Sequence, residues 1–232
     1  EAHFCDATMA RRMAGVYRRV RPSRERTLSA RGVKSCANLA AEHVETVLAR
    51  AIARRGVATV ALSGGNSPRE LHRVLVSRGK LDVSRIHFFF GDERTVAPDD
   101  PESNYRMATE TLLTPAGVEA DHIHRIQAEG DPAKAAAAYE RELRRVIPGA
   151  TPKLDLVILG LGEDGHTASL FPGTAALGER ERLVVANDVP QQDTTRITMT
   201  FGALEAARDI LFFAPGDEKR AMVEAVRTTA VE

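Results

Sequence analysis

The hydrophobic positions of this chain alternate between two spacings. "ANLAAEHVETVLARAIARRG" sets Leu39, Val44, Val47, Leu48, Ala51 and Ile52 at helical intervals, and Gly56 stands where a C-terminal cap belongs. "VATVAL" at 57–62 is instead apolar throughout and rich in β-branched side chains, the pattern of a strand covered on both faces. The exchange then repeats. "SPRELHRVLVSRG" predicts a helix with Pro68 in its first turn and Gly79 at its end, and "RIHFFF" predicts a second buried strand. A helix is expected over Asn104 to Leu113, closed by Pro115 and Gly117. Asp131-Pro132 is an N-cap and first-position pair for "AKAAAAYERELRRVI". "LDLVIL" is the third buried strand, followed by strand candidates "RLVVAN", "RITMT" and "DILFFA" and helix candidates "FGALEAA" and "DEKRAMVEAVR". Short, uniformly apolar strands separated by helices predict one α/β domain, with a parallel sheet covered by helices on both faces.

Composition changes this picture little. The 232 residues suffice for a full core, 43% are hydrophobic, and no apolar run reaches the roughly 18 residues of a membrane helix. Lys plus Arg and Asp plus Glu both number 32, so no overall field favours a polyanion, and neither nucleic acid nor membrane is expected as a partner. Two cysteines, Cys5 and Cys36, fit a reducing, cytoplasmic compartment better than a disulfide framework. Charge is nevertheless uneven. Residues 1–34 carry nine basic side chains against Glu1, Asp6 and Glu25, so 1–36 reads as a solvated basic arm ahead of a domain at 37–232. A monomer or weak homo-oligomer is expected.

Candidate chemistry gathers where the first three strands stop. "VATVAL" ends at "SGGNSP", "RIHFFF" at "GDER" and "LDLVIL" at "GLGEDGH". In an open parallel sheet these carboxyl ends share one edge, and ligands bind there where strand order reverses. Gly64 and Gly65 permit close backbone approach, leaving the amides of Asn66, Ser67 and the following turn to hold an anion. Taken alone, that loop reads first as a tight strand-to-helix turn capped by Ser63 or Ser67. Asp92, Glu93 and Arg94 supply either a phosphate-binding fork or an ion-pair cluster, with Asn104, Tyr105 and Arg106 nearby. His166, behind Glu163 and Asp164 and between glycines, suits a general base, whereas an isolated histidine there would merely cap a helix beginning near Thr167. Ser169 lacks a nucleophile-elbow pattern, and no Cys or His spacing suggests a metal. Arg196 and Lys219 are cations at the start of a late strand and in the first turn of a late helix; most such side chains are solvated.

From Ala37 to Arg227 the chain resembles the 6-phosphogluconolactonase family. The resemblance is carried in order by "LSGGNSPREL", "FFFGDERTVAPDDPESNYRM", "LDLVILGLGEDGHTASLFPG" and "RITMTFGALEAARDILFFAPGDEK". It implies the Rossmann-like fold shared with glucosamine-6-phosphate deaminases and ribose-5-phosphate isomerase-like proteins. It also implies cofactor-free hydrolysis of 6-phosphogluconolactone to 6-phosphogluconate in the oxidative pentose phosphate route. By resemblance His166 is the base that activates water and Asp164 its orienting acid. Gly64, Gly65 and Arg94 line the substrate site with Asp92 supporting the arginine, and Arg196 and Lys219 bind the phosphate. The first 35 residues have no counterpart in that pattern, and the family usually continues past "EKRAMVEAVR" with another strand and a short helix. Two other functions share the loops: an aminosugar-phosphate deaminase, whose "DGH" typically runs into an "AFNEP"-like stretch where this chain has "ASLFP", and a non-catalytic sugar-phosphate sensor, which needs no base.

Overall fold

The computed structural model describes residues 29–228; the basic stretch "RRMAGVYRRVRPSRER" lies outside them. Helix α1 (Val33–Arg55) starts four residues before the expected boundary at 37 and ends at Gly56, whose φ of 82° is the left-handed cap its sequence predicts. It packs on α2 (Asn66–Arg78) and on β1 (Ala58–Leu62). Beyond α2 come β2 (Ile86–Phe90) and β3 (Asp92–Arg94), then α3 (Asn104–Ala108), which runs into a π-helical turn at Thr109–Leu113. Helix α4 (Pro132–Val146) starts at Asp131, whose carboxylate accepts from the N–H groups of Ala133 and Lys134. Strand β4 (Leu156–Leu159), the hairpin of β5 (Val184–Val189) and β6 (Thr194–Met199), α5 (Phe201–Glu205), β7 (Ile210–Phe212) and α6 (Arg220–Thr228) complete the chain.

Strands β2, β1, β4 and β7 form a parallel sheet in that order. Every residue of β1 and β4 is buried, which is why neither shows polar alternation. Because β2 lies on one side of β1 and β4 on the other, strand order reverses at β1, and the carboxyl ends of β1 and β4 flank that switch point, where open parallel sheets place their ligands. The amino end of the sheet is clamped by Asp155. Its buried carboxylate accepts from the Thr59 N–H at 3.0 Å and pairs with Arg55 and Arg208.

One expectation needs correcting. "GDER" is not a loop: Asp92–Arg94 is a strand, and with β6 and β5 it makes a second, antiparallel sheet. The reversal at Gly91, whose N–H donates to Leu62 O and whose carbonyl accepts from Met199 N, carries the chain from one sheet to the other. Three residues are too few for a periodicity to announce a strand. No helix among the described residues is long and apolar enough to cross a membrane.

Candidate active site

The loop after β4 holds the histidine in a fixed setting. His166 Nδ1 lies 2.6 Å from Asp164 Oδ1, and the same oxygen accepts the His166 backbone N–H at 3.1 Å. Gly162 N–H closes the loop onto His166 O at 2.8 Å, and Gly165 turns with a φ of 84°. A Cβ at Gly162 would stand 2.2 Å from His166 Nδ1, so only glycine leaves room for the ring. Burial alone would raise the Asp164 carboxyl, but the hydrogen bond and charge of His166 outweigh it and hold the group below the usual carboxylate range. An ionised Asp164 selects the tautomer in which a neutral His166 imidazole would donate Nδ1–H to it and keep a lone pair on Nε2. The imidazole side chain remains 28% exposed, so it is open to a ligand.

No helix starts at Thr167. The chain instead makes a tight turn, with a bridge between Thr167 and Leu170, and Ala168 takes a positive φ of 48°. That turn buries Ser169 completely, and its hydroxyl donates to Asp92 Oδ2 at 2.6 Å. Here the expected pairing of Asp92 with Arg94 gives way: the Asp92 side chain accepts from Ser169 and from Asn104 Nδ2 (3.2 Å). The backbone carbonyl of Glu102 holds Arg94 instead, through Nη1. Two residues apart on β3, Asp92 and Arg94 share a face, yet Asp92 is occupied by partners from two other segments.

Strand pairing sets the cationic part of the site. In the β3–β6 register Arg94 stands directly opposite Arg196. Like charges in that relation repel, and burial first, then Arg94, lowers the Arg196 guanidinium below its ordinary value. Arg196 Nη2 donates to Gln192 Oε1 at 2.5 Å. The Nε groups of both arginines are buried without a partner, as is Ser63 Oγ at the carboxyl end of β1. Two uncompensated guanidinium N–H groups side by side suit a dianion.

Of the remaining positions, Gly64 and Lys219 touch the site's loops, while Gly65 and Asn66 show no side-chain hydrogen bond to the site among the described residues. Gly64 backs onto Asn104, where a Cβ would meet Oδ1 at 1.8 Å. Gly65, with φ 96°, caps α2 without a side-chain hydrogen bond, so neither Ser63 nor Ser67 is the cap, and Asn66 begins the helix exposed. Lys219 sits in a 3-10 turn (Asp217–Lys219) ahead of α6 rather than inside the helix, 4.0 Å from Glu163 of the histidine loop. His166 stacks on Phe171 with ring centroids 4.1 Å apart, and the Arg196 guanidinium lies 5.6 Å from the same ring. Gly64, Asn104, Asp92, Ser169, Phe171, His166 and the arginine pair thus form one connected neighbourhood at the carboxyl edge of the parallel sheet.

Residue-level reading missed Ser169 and Phe171 as parts of this neighbourhood. The signal was the run "SLFPG", continuous with the histidine loop, but neither residue type advertises chemistry by itself.

Comparison with known proteins gives one answer. Residues 32–232 match the family model for glucosamine-6-phosphate isomerases/6-phosphogluconolactonase. A 6-phosphogluconolactonase of Nostoc sp. is 41% identical over 75% of this chain and 73% of its own, and one of Synechocystis sp. is 42% identical over 76% and 74%. Among solved structures, 6-phosphogluconolactonase from Thermotoga maritima superposes with a TM-score of 0.73 at 33% identity, covering 81% of this chain and 84% of that one. The enzyme from Trypanosoma cruzi gives 0.79 at 26% identity over 89% and 86%. The chain belongs to the glucosamine-6-phosphate isomerase/6-phosphogluconolactonase family.

Proposed function

We propose that this protein hydrolyses 6-phospho-D-glucono-1,5-lactone to 6-phospho-D-gluconate, with His166 as general base and Arg94, Arg196 and Lys219 as the phosphate-binding cations. The observation that carries the reading is a pair of facing arginines with unpartnered buried Nε groups, joined to a carboxylate-oriented imidazole through a single ring. The named activity of the relatives agrees with it.

The chemistry follows from the hydrogen bonds. With Nδ1–H donated to Asp164, Nε2 takes a proton from water as the water oxygen bonds to the lactone carbonyl carbon. The resulting imidazolium is stabilised by the adjacent carboxylate. When the ring C–O bond breaks, that proton passes to the departing oxygen, and the new carboxylic acid releases one proton to solvent. General base catalysis contributes typically ~100- to 10,000-fold, a useful gain on a δ-lactone that already hydrolyses in water. Gly64, Gly65 and Asn66 present backbone at the β1 loop and first turn of α2, the place for further contacts to substrate oxygens. The two sparse cysteines of the sequence suit a cytoplasmic setting.

The test supplies freshly made lactone and follows acid release, beside a parallel assay for ammonia from glucosamine 6-phosphate. Accelerated acid release is expected, with KM raised about 10- to 100-fold by Arg196→Ala for the loss of charged hydrogen bonds. Ammonia release without lactone turnover would establish the deaminase instead. Binding of 6-phosphogluconate with neither reaction would make the protein a sensor.

A further inference from the structure

The run "SLFPG" takes no chemical step in the mechanism above, yet its turn is tied by hydrogen bonds to β3, β5 and β6. Ala168, the residue just ahead of the run, occupies the left-handed region at φ 48°, which costs a non-glycine residue energy and persists only where surrounding structure enforces it. The enforcement is visible. Ser169 Oγ is bound to Asp92, Ser169 N–H to Thr198 Oγ1 at 3.2 Å, and Ser169 O accepts from Asn187 Nδ2 at 2.8 Å. Phe171 O accepts from Thr174 Oγ1 at 2.8 Å, and Asn187 Nδ2 also reaches Thr174 Oγ1 at 3.0 Å. Asn187 is the register partner of Arg196 across β5 and β6, as Arg94 is across β3 and β6. The ladder that sets the arginines therefore also sets the turn.

What the turn delivers is the ring of Phe171, only 1% exposed. Asp164 fixes one nitrogen of His166 but leaves the imidazole free to tilt about that hydrogen bond. Stacking at 4.1 Å and 25° removes the tilt, and the same ring lies under the Arg196 guanidinium. From this geometry we infer that Phe171 is a positioning residue for the reaction: its ring fixes the plane of the His166 imidazole and the seat of Arg196 together, so that base and phosphate grip keep one spacing. The inference rests on the reading of His166 as base.

The experiment compares wild type, Phe171→Leu, Phe171→Tyr and His166→Ala in steady-state hydrolysis of freshly made 6-phosphogluconolactone, with Tm recorded on each protein and the NMR signals of the His166 ring protons, assigned by their absence in His166→Ala, recorded on the other three. Phe171→Leu is expected to lower kcat about 10- to 100-fold, the scale of a displacement near 1 Å, and to raise KM through Arg196. The His166 ring protons, shielded by the stacked phenyl face in wild type, should move downfield in Phe171→Leu. Phe171→Tyr, which keeps the ring, should restore shift, kcat and KM. Wild-type kinetics or an unmoved His166 signal in Phe171→Leu would overturn the proposal, as would a loss in Phe171→Tyr equal to that in Phe171→Leu. His166→Ala separates the two levels. If it retains full turnover, the base assignment itself fails; if it is inactive while Phe171→Leu is not, only the positioning role falls.

Discussion

At the scale of single residues, glycine is as informative as the groups that carry charge. Gly162 leaves the space that His166 Nδ1 occupies, and a methyl group there would press on the imidazole and on Asp164 Oδ1 (2.7 Å) rather than on backbone. The ring can swing away, so Gly162→Ala should keep the melting temperature within a few degrees yet lower kcat/KM about 10- to 100-fold by displacing the base. A loss of stability without loss of turnover would contradict the geometry. His166, Asp164, Gly64 and Arg94 drew notice in the sequence because they follow the ends of apolar strands in glycine-bearing stretches, whereas Arg196 was given a role only through the family resemblance. Phe171 was not, since a buried phenylalanine usually means only core. The partner of Asp92 was not legible either. The family resemblance suggested Arg94, whereas the strained turn at Ala168 brings Ser169 from 77 residues away.

Among elements, the junction of β3 with α3 shows how an acid can be structural inside a site. Glu93 is 3% exposed, and its carboxylate accepts from the N–H groups of Arg94 (2.9 Å), Asn104 (2.7 Å) and Tyr105 (2.8 Å) and from Ser103 Oγ (3.1 Å). It caps the start of α3 from another strand, beside the conventional Ser103 cap. Burial raises this carboxyl above its ordinary value, and the backbone donors pull back against it. Glu93→Gln turns one oxygen into a donor facing donors. We predict a loss of about 2 kcal/mol in urea unfolding, together with weaker substrate binding, because α3 carries the Asn104 that orders Asp92. An unchanged midpoint would show that the cap is dispensable. In the sequence "GDER" offered Glu93 and Arg94 as equals; only the strand geometry separates a helix cap from an anion grip.

The whole molecule combines a parallel sheet, read correctly from its uninterrupted apolar strands, with an antiparallel one that no local pattern announced. β5 and β6 were visible as strands, but their partner β3 was too short to see, and the pairing that sets Arg94 against Arg196 is long-range. Stability at this scale should carry an acid sensitivity from buried neutral histidine. Burial, and after it Arg69, pulls His72 down to about 3, with Thr111 Oγ1 at 2.8 Å from its Nδ1. The unfolded chain takes that proton near pH 6.5 and the folded chain not until about 3. Between those values the unfolded state binds more protons, so stability falls as pH falls, by up to about 1.4 kcal/mol per pH unit. His87 and His124, lowered chiefly by burial, act in the same direction. Denaturant midpoints taken from pH 7 to pH 4 should drop for wild type and drop less steeply for His72→Gln; parallel curves would exclude His72 as a source. The substitution itself is remote from the histidine loop, because α2 presents His72 to the interior, away from its glycine-bearing start.

The central claim is that loops from separate strands converge so that one imidazole deprotonates water beside a phosphate grip. The most direct test is kcat/KM for freshly prepared 6-phosphogluconolactone on the wild-type chain and on His166→Ala, corrected for spontaneous hydrolysis. Loss of the general base should lower the value about 100- to 10,000-fold with 6-phosphogluconate still bound. A His166→Ala protein that hydrolyses the lactone at the wild-type rate would contradict the account.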